Sequence, residues 1–344
     1  MNENRTITSV PGVRLAHITD RDAVTGTTVL LFPDYGAIGG VEVRGAAPGT
    51  RETDLLRPGT LVERVHSIFL TGGSAFGMNV AEGIMRHLEV EGVGFPTPGG
   101  VVPIVPGAVI YDLGIGGTDR RVTRDFGLDG AREASDAPVE SGSIGAGTGA
   151  TVAKTLGQDR ALKGGVGTAA MDLAGGHRIG AVMVVNAFGD IVDPETGALI
   201  AGPRNDRADG PPFLSTREIL RSGGRGGSGG RFGQQPTNTT IGVVATDAPL
   251  TVAQANRLAM MAHSGIARAI VPSYGMGDGD TLFFVSTAPP DATLVDTFGL
   301  TPIGAAAAEA VERAIVDSIR SATGIAGVPS AAEHISGMNG HLRQ

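Results

Sequence analysis

The side chains in this sequence that could do chemistry mostly stand beside glycines. Asp278-Gly279-Asp280 follows Gly275-Met276-Gly277 and precedes an apolar run at residues 281–286. Two carboxylates around one glycine can handle protons together if the loop curls, and are a polar turn if it does not. Met276 stands where a calcium loop needs its first ligand, so that pattern is absent. Lys154 follows a glycine-rich stretch and sits among small residues. It is either a lysine drawn into a site or a solvated surface group. Asn186 ends the apolar run 179–185, where an amide is a turn former or a side-chain oxyanion donor. Ser74 in Thr71-Gly72-Gly73-Ser74-Ala75-Phe76 resembles a nucleophile elbow, but G-x-S-x-G needs glycine where Phe76 stands. It reads better as a helix N-cap, with the preceding glycines offering backbone N–H groups.

Other motifs fail in their context. Gly145-Ala146-Gly147-Thr148-Gly149-Ala150 fits the dinucleotide pattern G-x-G-x-x-A, but residues 137–143 before it are not an apolar strand. Ala153-Lys154-Thr155 imitates the end of a P-loop without its glycines. The seven histidines form no H-x-H or H-x-x-x-H pair, which argues against zinc. Cysteine is absent, which excludes a thiolate nucleophile, a Cys-ligated metal and a disulfide scaffold.

The elements that must position these residues are short apolar runs bounded by Gly, Pro and Asp. Residues 27–32, 67–70, 179–185, 240–245 and 281–286 read as buried strands. Helices are expected over 74–89, capped by Ser74; over 251–270, opening with the capping box Thr251-x-x-Gln254; and over 303–321. Strands alternating with helices without a regular repeat imply a layered α/β fold. Residues 222–231 read SGGRGGSGGR, a flexible linker by composition, delivered to the start of a strong strand. Residues 92–111 carry no charge but hold four prolines, so they are a buried loop-and-strand segment and not a membrane span. The tail 324–344 reads as loosely held.

Composition narrows the class. The chain has 344 residues and a formal net charge of −8 without a basic cluster, so nucleic acid is not an expected partner. With no Trp and three Tyr, stacking on bases or sugars is poorly supported. The first ten residues are polar, which argues against a secretory signal. A soluble, cytoplasmic protein without membrane partners is expected.

Five segments in order resemble a known family over nearly the whole chain: Val10-Pro11-Gly12-Val13-Arg14, Leu70 through Gly77 (LTGGSAFG), Ala108-Val109-Ile110-Tyr111-Asp112, Asn238-Thr239-Thr240-Ile241 and Asp278 through Phe283 (DGDTLF). Together they resemble the self-processing hydrolases of the DmpA type, typified by the L-aminopeptidase D-amidase/esterase, the β-peptidyl aminopeptidases and the nylon-oligomer endohydrolase. The resemblance implies a four-layer α/β/β/α sandwich, a single domain over 1–344. It implies a cut between Asn238 and Thr239 into a large chain 1–238 and a small chain 239–344, with Thr239 the N-terminal nucleophile. Tyr111, Lys154, Asn186, Asp278 and Asp280 match site positions of the nylon-oligomer branch. The aminopeptidase branch has Ser as nucleophile, and Ser and Glu where this chain has Asp278 and Asp280, so the Thr/Asp branch is favoured. A homo-oligomer, a tetramer of cleaved heterodimers, is also implied.

The chemistry follows from those types. A threonine hydroxyl needs a base, and a freed α-amino group near its reference pKa of about 7.7–8.0 can serve. Asn186 with a backbone N–H would hold the oxyanion, Lys154 would favour a deprotonated hydroxyl, and Asp278 and Asp280 would orient Thr239. No metal or organic cofactor is needed. The substrate is a small-molecule amide or a peptide: linear amides of ω- or β-amino acids such as nylon oligomers, or short peptides for an aminopeptidase. Acyl transfer as in ornithine acetyltransferases lacks its Ala-Thr-Met-Leu signature here. An uncleaved homologue acting by binding alone is the non-enzymatic alternative. The pocket-lining loops expected at 36–52 and 205–221 carry no readable substrate code.

Overall fold

Two sheets lie face to face, and each carries helices on its outer side. The structure, a computed structural model, describes residues 4–116, 120–205, 207, 209–223 and 238–341. The five apolar runs form the strands Thr25–Leu31, Ser67–Thr71, Arg178–Asn186, Thr239–Thr246 and Thr281–Ser286. One sheet runs, edge to edge, Arg14–Asp20, Thr25–Leu31, Ser67–Thr71, Gly107–Val109 and Thr50–Arg51. The other runs Gly165–Asp172, Arg178–Asn186, Thr239–Thr246, Thr281–Ser286, Ala37–Val43 and Arg64–Val65.

The strands are continuously apolar because both their faces are buried. Val182, Val184, Ile241, Val243, Phe283 and Val285 meet Leu30, Ile68 and Leu70 between the sheets. Their neighbours Ala181, Met183, Val244, Leu282 and Phe284 face outward and pack with Ala255, Leu258, Val311 and Ile315 of the helices Val252–Ala269 and Leu300–Arg320. On the opposite side Val29, Leu31 and Phe69 lie under Val80, Ile84 and Leu88 of helix Val80–Val90. Phe283 and Phe284 are both fully buried yet enter different cores. Each contributes about 1.5–3 kcal/mol of burial. This is the expected four-layer α/β/β/α sandwich.

Helix Val252–Ala269 opens with the expected capping box: Gln254 N–H donates to Thr251 Oγ at 3.2 Å, and Thr251 N–H to Gln254 Oε1 at 2.8 Å. Three expectations are corrected. Ser74 is not an N-cap. Gly73 holds that position, Ser74 has φ +53°, and a 3₁₀ turn Ser74–Asn79 precedes the α-helix. The N–H groups of Gly72, Gly73 and Ser74 are all engaged, by the Gly26 carbonyl, Asp112 Oδ1 and the Ile110 carbonyl. Within 92–111, Phe95–Thr97 and Gly100–Val102 form a largely exposed hairpin between the buried Val93 and the buried stretch 103–110. The chain after Gly324 is held in place: Glu333 of helix Ala331–His341 accepts from Ser330 N–H at 2.9 Å and Gly324 N–H at 3.1 Å. Of the linker 222–231, residues 224–231 lie outside the described residues. Among the described residues no helix is long and apolar enough to cross a membrane.

Candidate active site

Strand register assembles the site. Thr239 begins a central strand of the six-stranded sheet, and the antiparallel neighbour ends with Asn186 directly opposite it. The parallel neighbour pairs Thr281 with Ile241, and the pairing reaches back through an Asn238–Asp278 bridge. Asn186 therefore arrives on one side of Thr239, and Asp278-Gly279-Asp280 on the other. All five residues are buried or have no side chain to expose. The turn does curl, which excludes a merely solvated loop at this position.

The junction between Asn238 and Thr239 is held tightly. Thr239 Oγ donates to the Asn238 carbonyl oxygen at 2.5 Å. The same oxygen accepts from Gly279 N–H at 2.9 Å. A Cβ at Gly279 would stand 3.1 Å from Thr239 Oγ and 2.7 Å from the Ala47 carbonyl oxygen, so only glycine brings this N–H so close. Residues 44–47 buttress the turn: Ala47 N–H donates to the Asp278 carbonyl at 2.8 Å, and Arg44 N–H to the Asp280 carbonyl at 3.0 Å.

The carboxylates are taken up by backbone donors. Asp280 Oδ1 accepts from Thr240 N–H at 2.6 Å and Oδ2 from Tyr274 N–H at 3.2 Å. Asp278 Oδ2 accepts from Gly275 N–H at 2.6 Å. Burial, then the neighbouring Asp278 charge, push Asp280 up to about 7. Asp278 is also raised by burial, opposed by the Gly275 N–H and by Lys154. Burial holds Lys154 down at about 7, with Asp278 opposing that shift. A base and an acid poised near neutrality are what proton transfer requires.

Lys154 Nζ donates to Asn186 at two points, to Oδ1 at 2.9 Å and to the backbone carbonyl at 3.0 Å. Thr151 N–H also donates to Asn186 Oδ1, at 3.0 Å. Asn186 Nδ2 donates to the Tyr111 carbonyl at 3.2 Å. Tyr111 thus joins the cluster through its backbone. The amide of Asn186 binds the site's walls together, and the N–H donor on the Asn238 carbonyl is that of Gly279. Sequence reasoning missed Gly279, Thr151 and Tyr274; the glycine framed by two aspartates was the signal for the first.

The glycine-rich run 145–150 serves a second buried lysine. Its Gly147 and Ala150 carbonyls accept from Lys163 Nζ, with the first bond at 3.2 Å. Asp112 faces Lys163 and takes up Thr25 Oγ at 2.6 Å. This pair braces the wall behind Tyr111 and Thr151.

Comparison with known proteins gives this arrangement a setting. Peptidase family S58 matches residues 5–332. An uncharacterised aminopeptidase of Mycobacterium tuberculosis is 42% identical over 97% of this chain and 99% of its own length. A 6-aminohexanoate-oligomer endohydrolase of Kocuria sp. is 29% identical over 90% of this chain and 84% of its own. The solved L-aminopeptidase D-Ala-esterase/amidase of Ochrobactrum anthropi, described as a variant of the Ntn hydrolase fold, superimposes with a TM-score of 0.72 at 21% identity, covering 99% of this chain and 94% of that one.

Proposed function

We propose, from the premise that this chain belongs to peptidase family S58 and is a peptidase or amidohydrolase, that it cuts itself between Asn238 and Thr239 and then hydrolyses linear amides with Thr239 as N-terminal nucleophile. The observation that carries this reading is the Asn238 carbonyl, shared by Thr239 Oγ at 2.5 Å and Gly279 N–H at 2.9 Å.

In maturation, Thr239 Oγ attacks the Asn238 carbonyl carbon and gives its proton to a base. Asp280, or Lys154 in its neutral form, is that base. Gly279 N–H stabilises the oxyanion. The C–N bond breaks, the nitrogen takes a proton, and Asn238 is left as an ester on Thr239. Water opens the ester to the Asn238 carboxylate and the free Thr239 hydroxyl and amine. In turnover the new α-amine takes the hydroxyl proton. The substrate acyl group passes to Thr239, its amine leaves with a proton, and water releases the acid.

The Thr239, Asp278 and Asp280 set, with the 29% identical endohydrolase of 6-aminohexanoate oligomers, supports amides of short ω- or β-amino acids as substrates. The 42% identical relatives named as aminopeptidases support a second reading, removal of N-terminal residues from short peptides. Assaying the purified chain on 6-aminohexanoate oligomers, β-peptides and peptide p-nitroanilides separates the two. Turnover of p-nitroanilides alone would discard the first, and failure on all three substrates would discard both.

A further inference from the structure

The loop before strand Thr281–Ser286 contains a backbone conformation that its residue type resists. Tyr274 has φ +61°, a left-handed conformation that a bulky residue keeps only where its surroundings over-determine it. Those surroundings are specific. The Tyr274 hydroxyl donates to the His263 carbonyl at 2.5 Å, and the two rings lean together with centroids 5.5 Å apart. His263 is itself buried, and its Nε2 donates to the Glu42 carbonyl at 3.0 Å. Helix Val252–Ala269 thereby ties Tyr274 to strand Ala37–Val43.

The conformation has a consequence at the site. The N–H groups of Tyr274 and Gly275 are consecutive, and both turn to the same side. The first donates to Asp280 Oδ2 at 3.2 Å and the second to Asp278 Oδ2 at 2.6 Å. Consecutive N–H groups that converge in this way form an anion-binding concavity, whereas extended backbone sends them to opposite sides. We infer that Tyr274 is a positioning residue for the Asp278–Asp280 pair, its left-handed backbone, pinned to His263, aiming two successive N–H groups at the two carboxylates.

This inference rests on the proposed role of those carboxylates beside Thr239. The charges that bear on them are their own, held close together, and Lys154 opposite. Arg44 and Glu42, at the end of strand Ala37–Val43, bear on Tyr274. Both N–H groups favour ionised carboxylates, so loosening the loop should raise the pH at which the pair ionises.

The test compares Tyr274→Phe, Tyr274→Ala and Tyr274→Gly in the full chain. Carboxyl-labelled aspartate NMR reads the titration, with Asp278→Asn and Asp280→Asn identifying the signals; a denaturing gel reads self-cleavage against time. Tyr274→Phe, which loses only the hydroxyl anchor, should move the Asp280 midpoint up by about half a pH unit or more and slow cleavage about threefold at pH 6. Tyr274→Ala should do more. Tyr274→Gly, at ease with positive φ, should recover part of what Ala loses, the reverse of what lost ring packing would give. Unchanged titration in Phe and Ala, or Gly worse than Ala in a chain of equal Tm, overturns the inference. If the wild-type chain stays whole on the gel, the Thr239 reading falls, and the titration still decides the role of Tyr274.

Discussion

The backbone N–H of Gly279 donates to the carbonyl oxygen of Asn238 at 2.9 Å. That bond places a donor on the bond proposed to break, from a residue that follows it by forty positions. The carboxylates on either side of Gly279 accept from other N–H groups and do not compete for this one.

Self-cleavage should give fragments of about 24 and about 11 kDa, in proportion to length. N-terminal sequencing of the smaller should read Thr-Thr-Ile-Gly. Thr239→Ala should remain whole and lose hydrolysis by ~10³-fold or more, while Thr239→Ser keeps part of both. A fully active preparation running as one full-length band would remove this mechanism.

Gly279→Ala should fold but process slowly. Its Cβ would press on Thr239 Oγ and the Ala47 carbonyl and displace the N–H from Asn238. Losing such a donor costs on the order of 10²-fold or more, and the overpacking about 1–3 kcal/mol. Gel time courses and Tm measure the two effects separately. Cleavage at the wild-type rate would show that the Gly279 bond plays no part.

The two aspartates should separate maturation from turnover. Asp280 holds Thr240 N–H, beside the nucleophile, so Asp280→Asn is expected to stay a precursor. Asp278 faces Lys154, and Asp278→Asn is expected to cleave and then turn over slowly. Lys154→Met should slow both steps, and Lys154→Arg should not rescue them, because Nζ lies between two oxygens of Asn186 at 2.9 and 3.0 Å. Wild-type hydrolysis in both aspartate variants would return the turn to a structural role.

Cleavage should also depend on pH with a definite sign. Asp280 and Lys154 both titrate at about 7, and either must be deprotonated to act as the base. The first-order rate of cleavage should therefore rise with pH and level off above about 7. Stability linked to Asp280 runs the other way. Its folded pKa is raised from 3.8 to about 7, so that contribution is full below 3.8 and lost as pH rises through about 7. The Tm of Asp280→Asn relative to wild type should climb between pH 4 and 7 and then stay level. A difference that falls over that range would contradict the raised pKa.

Part of this was legible in the chain. The continuous apolar runs gave the strands, because residues packed on both sides leave no polar alternation to read. Thr251 and Gln254 announced their helix by local hydrogen bonding. Ser74 was misread because the N-cap pattern contains no record that a left-handed residue follows Gly73, or that Asp112 claims the N–H there. The 92–111 segment was misjudged because absence of charge is not burial; its hairpin projects outward.

By itself, the sequence determined which residue types were available and the local elements carrying them: a threonine opening a strand, an asparagine closing one, a glycine between two aspartates. Only the tertiary structure decided that these meet. Strand register brings Asn186 opposite Thr239 and Asp278 beside Asn238, and register depends on pairing between segments far apart in the chain, which local periodicity does not encode. It also decided which N–H groups face the carboxylates, since Tyr274 takes its left-handed backbone from contact with His263, on a different element. The desolvation that brings Asp280 and Lys154 to about 7 exists only once the chain has folded around them.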